Sequence, residues 1–472
     1  LIMNFTRTKI ICTVGPSTQS IATLRKLHKE GMNVVRINMS HATHKSALST
    51  INKVNKINSS LKDGATPIAV LLDTQGPEIR TGDTSMPLDL VTGDEVKLTV
   101  RDQVDVETSS IQINYKDLIS SVTSGSKITV DNGLINFEVL SKDEDTLLCK
   151  VLDGGKIGSK RHVNLPGVRV NLPSITAKDL KDIDFGIKNK ADFIALSFVR
   201  DPEDLEKLRS ILKKKSSSAK IIAKIENQEG LDNIHEICQA SDGVMVARGD
   251  LGIETNLADL PNIQRRIMYA CAKWGKRSIV ATHLLESMIE NPTPTRAEVT
   301  DIANAIYEGS DAIMLSGETS IGKYPIECVR FLKSISYRTE KFKTLGYEDN
   351  LTADSDWQHL GVAANQLAQS INADGIIAIT RTGYTANVVS NSKPFEMPIF
   401  CFTSNQSTFR SLSLVGSTHA HLLKSISNHD KTVKLITQKL KSYYPDKKNL
   451  KFVMISGIFS EKHSEAIQVI NI

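Results

Sequence analysis

The stretch from Lys220 to Glu254, KIIAKIENQEGLDNIHEICQASDGVMVARGDLGIE, narrows the choice of fold more than any other part of the chain. Ile222-Ala223-Lys224-Ile225-Glu226 alternates as a strand does, so Lys224 and Glu226 leave the backbone on one face, about 7 Å apart along the strand. Leu231 to Ala240 has the spacing of a short amphipathic helix, and Gly243 to Ala247 is a second apolar run that stops abruptly at Arg248-Gly249-Asp250. The pattern is strand, helix, strand, with charge confined to the strand ends. In a parallel α/β sheet the C-terminal strand ends form the ligand crevice, which brings Lys224, Glu226 and Asp250 to one place. Two carboxylates and an ammonium in one crevice suit a divalent cation bridging to an anionic substrate.

The same alternation extends in both directions. Lys9 to Val14 predicts a buried strand, and Ser20 to Glu30 a helix closed by Gly31. Met32 to Met39 predicts a second strand with Arg36, Asn38 and Ser40 on one face, followed by a helix from Thr43 to Asn58. Ile68 to Leu72 is a third strand, ending in Asp73-Thr74. Phe193 to Val199, Ile221 to Glu226, Gly243 to Ala247, Ser278 to Thr282 and Asp311 to Leu315 supply five more. Helical stretches separate them, among them Pro261 to Lys276, Arg296 to Glu308 and one that Asp201 caps with Pro202 at its first position. Eight strands alternating with helices predict an α/β protein built on a closed (β/α)₈ TIM barrel, since an open doubly wound sheet needs only about six.

Between residues 78 and 170 helical periodicity vanishes. Strand patterns such as Val96 to Val100 replace it, with a hairpin over Lys127 to Leu140 that turns at Asp131-Asn132-Gly133. The expected organisation is a barrel over 1–77 and 171–343, an inserted small β-barrel domain over 78–170 that overhangs the strand ends as a lid, and an α/β open-sheet domain over 344–472. Gly346 to Asn350 is the expected linker to that last domain, whose helix Trp357 to Ile371 precedes strands at Gly375–Thr380, Pro398–Phe402, His419–Leu423 and Phe452–Ser456.

At 472 residues with 40% hydrophobic content, such domains can each bury a core. A formal net charge of +5 is small for the length, and the Lys213-Lys214-Lys215 run falls at a helix C-terminus where it complements the dipole, so nucleic acid is not an expected partner. The six cysteines form no Cys-x-x-Cys pair, which points to reduced thiols in a cytoplasmic protein. Leu1 to Cys12 lacks the apolar core of a signal peptide, and no window has the length and apolarity of a membrane span.

Each strand end offers a polar group: Arg36, Asn38 and Ser40; Asp73 and Thr74; Lys224 and Glu226; Asp250; Thr282 and His283; Ser316 and Glu318. Singly, a strand-end Thr282 or Ser316 is explained as a helix cap. Charges gathered in a barrel mouth are not, because unpaired they are costly unless they hold a ligand. Gly317 to Lys323 imitates a phosphate loop, but Tyr324 stands where a magnesium-binding Ser or Thr is required. His41 and His44 are spaced like metal ligands but have no partners, and a solvated or capping role suits them better. Thr380-Arg381-Thr382-Gly383-Tyr384-Thr385 joins a strand to a helix, where it is either a phosphate cradle at the helix N-terminus or an ordinary capped turn.

TKIICTVGPS (Thr8 to Ser17), NVVRINMSH (Asn33 to His41), LLDTQGPEIRTG (Leu71 to Gly82), AKIENQEG, MVARGDLGIE and NPTPTRAEVTDIANAIYEGSDAIMLSGET together closely resemble the pyruvate kinase family, over essentially the whole chain and in the same order. The resemblance implies transfer of the phosphoryl group of phosphoenolpyruvate to ADP, giving pyruvate and ATP, in a homotetramer. It implies Glu226 and Asp250 as ligands of Mg2+ (or Mn2+), and Asn38, Ser40, Asp73 and Thr74 as the K+ site. Lys224, Arg36 and Thr282 correspond to the catalytic positions, with Gly249 and Asp250 also facing substrate. Asn38, His41, Arg80 and Arg161 correspond to nucleotide contacts, and Thr380, Arg381, Thr382, Gly383 and Thr385 to an effector phosphate loop.

Glu78 matches members of the family that depend on potassium. Gln75, His283 and Ala42 differ from the common residues, without removing a ligand. The tail, Ser456 to His463, lacks the Gly-rich loop that helps hold a sugar-phosphate effector, leaving the effector open between another phosphorylated molecule and none. Two rivals remain at this point. A metal-dependent lyase acting on an oxoacid enolate would share the carboxylates but leave the inserted domain unexplained, and a non-catalytic effector-binding subunit would have no need of Lys224.

Overall fold

The computed structural model describes residues 5–472 except 63, 85, 102–109, 132, 169, 427 and 458–465. Eight parallel strands close into a barrel: Lys9–Thr13, Met32–Asn38, Ala69–Asp73, Phe193–Leu196, Lys220–Ile225, Gly243–Ala247, Arg277–Ala281 and Ala312–Leu315. Each is paired to the next in chain order, and the eighth returns to the first, Lys9 opposite Ala312.

Strict alternation assigns each strand residue to one of two cores. Ile11, Val34, Leu71, Phe193, Ala195, Ile222, Met245, Ile279 and Met314 fill the barrel, whereas Ile10, Cys12, Val35, Leu72, Ile194, Ile221 and Val244 pack outward against the helices. Covered on both sides, the strands are apolar throughout, which is why they are conspicuous as continuous runs. Lys224 occupies the inward position two residues after Ile222, so the register that fills the core also delivers an ammonium to the barrel mouth.

The structure departs from the sequence expectation at several boundaries. The fourth strand stops at Leu196 rather than Val199, because Phe198 adopts φ 54 and turns the chain out of the sheet. The expected helix over 231–240 is two helices, Gln228–Asp232 and Ile234–Ala240. Asn227 caps the first by accepting from Gly230 N (2.8 Å), and Asn233 separates the two while donating to Arg200 O (2.9 Å). The expected linker at 346–350 is a 3₁₀ turn, Tyr347–Asn350, whose Tyr347 ring meets Tyr269 edge-on at 5.8 Å.

Between the third and fourth barrel strands lies a seven-stranded sheet around Leu98, Ile128, Val130, Phe137, Leu147 and Val151. Its hairpin pairs Lys127–Val130 with Ile135–Lys142, and Asp131 (φ 55) and Gly133 (φ 84) take the left-handed conformations that such a turn requires. Asn132 of the expected turn lies outside the described residues. The C-terminal sheet has four parallel strands, Thr418–Leu422, Ile399–Thr403, Gly375–Ile379 and Lys451–Ser456, followed by an antiparallel edge strand, Ala466–Asn471. That edge strand escaped the sequence reading because it is mostly exposed and shows no buried face. The tail difference noted above falls largely on residues 458–463, outside the described residues. Among the described residues, no helix is long and apolar enough to cross a membrane.

Candidate active site

The C-terminal ends of the second, third and fifth strands bring their charges into direct contact, and the fourth adds a hydroxyl. Arg36 donates from Nε to Asp73 Oδ2 (2.7 Å), and its Nη2 lies 2.6 Å from the same oxygen. Its Nη1 donates to Thr13 Oγ1 (3.0 Å), which in turn donates to Leu315 O (2.9 Å). Lys224 Nζ stands 3.1 Å from Asp73 Oδ1 and 2.9 Å from Glu226 Oε1, and donates to Ser197 Oγ (2.7 Å). Glu226 Oε2 accepts from Phe198 N (2.7 Å), the residue whose left-handed backbone ends the fourth strand. Asp73 and Glu226 are fully enclosed, and Arg36 and Lys224 nearly so.

Ser197 was not anticipated, although Phe193, Ala195 and Ser197 share the inward face and the alternation could have revealed it. Its hydroxyl accepts from Lys224 and donates to Thr74 O (2.7 Å), while its N–H donates to Thr74 Oγ1 (3.1 Å). Thr74 is thereby tied to the lysine. Asn38 pairs with Asp73 across the second and third strands, and its Oδ1 accepts from Ser40 N (3.1 Å).

These contacts set the electrostatics. Burial alone would discharge Lys224, but Asp73 and Glu226 outweigh it and hold its pKa well above a lysine's ordinary value. Burial likewise opposes ionisation of Asp73, and Lys224 and Arg36 overcome it. Burial pushes the Glu226 carboxyl up to about 7 despite Lys224, with Asp250 and Asp73 adding to the rise. Asp250 is raised too, chiefly by burial. Two neighbouring carboxyls that ionise reluctantly are the kind of pair in which a cation and a proton compete.

The oxygen-rich donor set suits a hard cation. Among the described residues no cluster of three or more His, Cys, Asp or Glu side chains has metal-holding geometry. Glu226 and Asp250 carry carboxylate oxygens only, and an ion held by this pair would need its other ligands from substrate and water. Asn38, Ser40, Asp73 and Thr74 each carry a side-chain oxygen; that of Asn38 accepts from Ser40 N, that of Thr74 from Ser197 N, and those of Asp73 face Arg36 and Lys224.

The remaining candidates lie around this centre. A cavity of about 680 Å³ runs from Arg36 and Asn38 past His41, Pro16 and Ser316. Arg80 binds Glu78 Oε2 through Nε (2.7 Å), and Gln75 Nε2 donates to the same oxygen (3.0 Å). Arg161 lies 3.4 Å from Asp131, the residue that follows the strand Lys127–Val130 of the inserted sheet. Thr282 and His283 follow the seventh strand with φ 76 and φ 54, and a Cβ at Gly249 would stand 3.3 Å from Thr282 Cγ2.

Other motifs have structural employment. His44 binds Asp182 Oδ1 (2.7 Å) and stacks on Phe185 at 4.6 Å, away from any shared site with His41. In the phosphate-loop imitation, Glu318 accepts from Leu285 N (3.0 Å) and Ser316 N (2.7 Å), and Lys323 pairs with Glu290, so the segment braces the eighth strand's end. At the other turn, Thr380 Oγ1 accepts from Gly383 N (2.9 Å), Gly383 has φ 92, Thr385 is buried, and Arg381 and Thr382 are exposed.

Residues 5–329 match the family model described as pyruvate kinase, barrel domain, and residues 358–470 match pyruvate kinase, alpha/beta domain. The chain is 44% identical to a pyruvate kinase of Staphylococcus saprophyticus, covering 87% of this chain and 70% of that one. It is 39% identical to a pyruvate kinase of Dictyostelium discoideum, covering 96% and 92%, and 41% identical to plastidial pyruvate kinase 2 of Arabidopsis thaliana, covering 86% and 70%. A solved pyruvate kinase from Cryptosporidium parvum superposes with a TM-score of 0.93 at 33% identity, covering 99% of this chain and 96% of that one. With this barrel, this charged mouth and these matches, the chain belongs to the pyruvate kinase family, the phosphotransferases that move the phosphoryl group of phosphoenolpyruvate to ADP.

Proposed function

We propose that Lys224 and Arg36 hold and neutralise the phosphoryl group in flight, and that Thr282 serves the protonation of the enolate left behind. The observation that carries this reading is the Lys224 ammonium, buried and bracketed by Asp73 and Glu226 at 3.1 and 2.9 Å. Phosphoryl transfer places charge on three equatorial oxygens, and preorganised cations in a water-poor site stabilise that charge without a covalent nucleophile. The contacts to Asp73, Glu226 and Ser197 hold the ammonium in place before substrate arrives. Arg36, braced by Asp73 and Thr13, presents the rest of its guanidinium as a fixed donor fork. Thr282, beside Gly249, then assists proton delivery through water, since an unassisted hydroxyl is too weak an acid.

Glu226 and Asp250 hold Mg2+ or Mn2+, and Asn38, Ser40, Asp73 and Thr74 hold K+. When bound, these ions supply further positive charge to the phosphoryl oxygens and orient the substrate. Asn38, His41, Arg80 and Arg161 contact ADP in the cleft between the barrel and the inserted sheet. We further propose the division into a barrel (1–77 and 171–343), a lid (78–170) and a C-terminal regulatory part (344–472), with Thr380, Arg381, Thr382, Gly383 and Thr385 as its effector loop, in a cytoplasmic homotetramer.

Potassium dependence tests the monovalent site. Glu78 is an acid at the barrel mouth, engaged by Arg80 and Gln75, and it supplies no positive charge of its own. Turnover is expected to collapse in potassium-free, sodium-free buffer and to return on titrating KCl. Full activity without either ion contradicts the assignment.

A further inference from the structure

Arg248 closes the sixth barrel strand next to Gly249-Asp250, yet its side chain turns away from them. Nη2 donates to Thr282 O (2.6 Å), and Nε lies 3.2 Å from Thr282 O and 3.3 Å from Ala281 O. Nη1 pairs with Asp301 Oδ1 (2.8 Å) on the helix Arg296–Tyr307, with Gln264 Oε1 further off at 3.5 Å. The Arg248 side chain is 9% exposed. An arginine buried this deeply has spent its donors mainly on one turn of backbone.

That turn is strained. Thr282 is β-branched and sits at φ 76, followed by His283 at φ 54. A β-branched residue at positive φ is an outlier, and such a conformation persists only where the surroundings impose it. The Arg248 fork supplies the imposition by tethering the carbonyls on either side of the Ala281–Thr282 junction. The same turn lies beside Gly249, the neighbour of Asp250: a Cβ there would stand 3.3 Å from Thr282 Cγ2 and 3.9 Å from its Oγ1.

We infer that Arg248, oriented by Asp301, is a positioning residue for Thr282, and that it governs protonation of the enolate more than phosphoryl transfer. This rests on the role proposed above for Thr282. In the step concerned, the enolate's C=C π pair takes a proton at the terminal carbon while an oxygen lone pair restores the carbonyl. The proton comes from a water beside Thr282 Oγ1, and the hydroxide that this water becomes is neutralised by a proton from solvent. Arg248 touches no reacting atom. It acts by holding Thr282 in place, and a misplacement of about 1 Å at such a group costs on the order of 10²-fold in rate.

The test uses the full chain with Mg2+ and K+ and three variants, Arg248→Lys, Asp301→Asn and Thr282→Ala. Two rates are compared in each: deuterium exchange into the methyl group of pyruvate, and ATP formation from phosphoenolpyruvate. A lysine cannot bridge the carbonyls and Asp301 at once, so Arg248→Lys is expected to slow exchange by about 10²-fold, well beyond its effect on ATP formation. Asp301→Asn is expected to slow exchange in the same sense by less, and it decides the matter if Arg248→Lys does not fold. Equal loss in both reactions, tracking a lowered melting temperature, marks Arg248 as merely structural and overturns the inference. So does unchanged exchange in both the Arg248 and Asp301 variants while Thr282→Ala has lost it. If Thr282→Ala itself exchanges normally, the role proposed for Thr282 fails, and this inference fails with it.

Discussion

Replacing Lys224 by Met is expected to lower ATP formation from phosphoenolpyruvate and ADP by at least about 10³-fold while leaving a folded protein. Removing a single preorganised donor from a charge-stabilising site costs on the order of 10²–10³-fold, and Lys224 contributes a full positive charge as well as a hydrogen bond. Methionine matches the length of the lysine stem, so the core around Ile222 and Met245 stays filled. The carboxylates that the lysine bridges are not abandoned equally. Asp73 keeps Arg36 at 2.6 Å, and Glu226, already inclined to hold a proton, becomes neutral at physiological pH. With ADP held by Arg80 and Arg161 as proposed, away from Lys224, its affinity is expected to stay within roughly threefold, so the loss falls on kcat. A variant that retains a tenth of the wild-type kcat shows that Lys224 is not the group that carries the transferring charge.

The second large effect concerns Glu226. Its carboxyl is pushed up to about 7, chiefly by burial, so below that pH an incoming divalent cation must displace a proton. Affinity for Mn2+, read by titration calorimetry, is therefore expected to fall about tenfold per pH unit below 7 and to level off above it. Glu226→Gln keeps an acceptor for Phe198 N but removes the charge, and is expected to weaken Mn2+ binding by roughly 10²-fold and to flatten most of the pH dependence.

Stability follows the same linkage. The folded pKa lies above the ordinary value of 4.5, so the stabilisation is fully present below 4.5 and is lost as pH rises through about 7. Bound cation offsets that loss by mass action. Mn2+ affinity in the wild type that is constant from pH 6 to pH 8 contradicts the assignment of Glu226 as a metal ligand.

Much of this was legible in the chain because the barrel repeats one physical pattern. Gly243 to Ala247 is apolar on both faces and ends in charge, so its limits and its direction were both recoverable. Lys224 and Glu226 were likewise placed on one face by strand alternation alone. What alternation cannot give is the third dimension across strands. Asp73 is far from Lys224 in sequence, and only the barrel register, Arg36 opposite Leu71 and Ala195 opposite Asp73, brings its carboxylate between two cations.

The misses have local causes. Left-handed backbone at Phe198 and Thr282 leaves no signature in hydrophobic periodicity, so the fourth strand was read too long and the Arg248 tether went unseen. Asn227 caps the first helix with its side chain, and Asn233 breaks the run while its amide donates to Arg200 O, which competes with an apolar pattern that runs across both pieces. The exposed edge strand Ala466–Asn471 buries too little for either period to register.

Whether the charged barrel mouth catalyses phosphoryl transfer with the help of both cations is decided by pyruvate formation by the full chain from phosphoenolpyruvate and ADP, with Mg2+ and K+ each present or omitted. Sustained turnover that requires Mg2+ and is strongly raised by K+ is expected. Tight binding of phosphoenolpyruvate without pyruvate formation under any of the four conditions would contradict it.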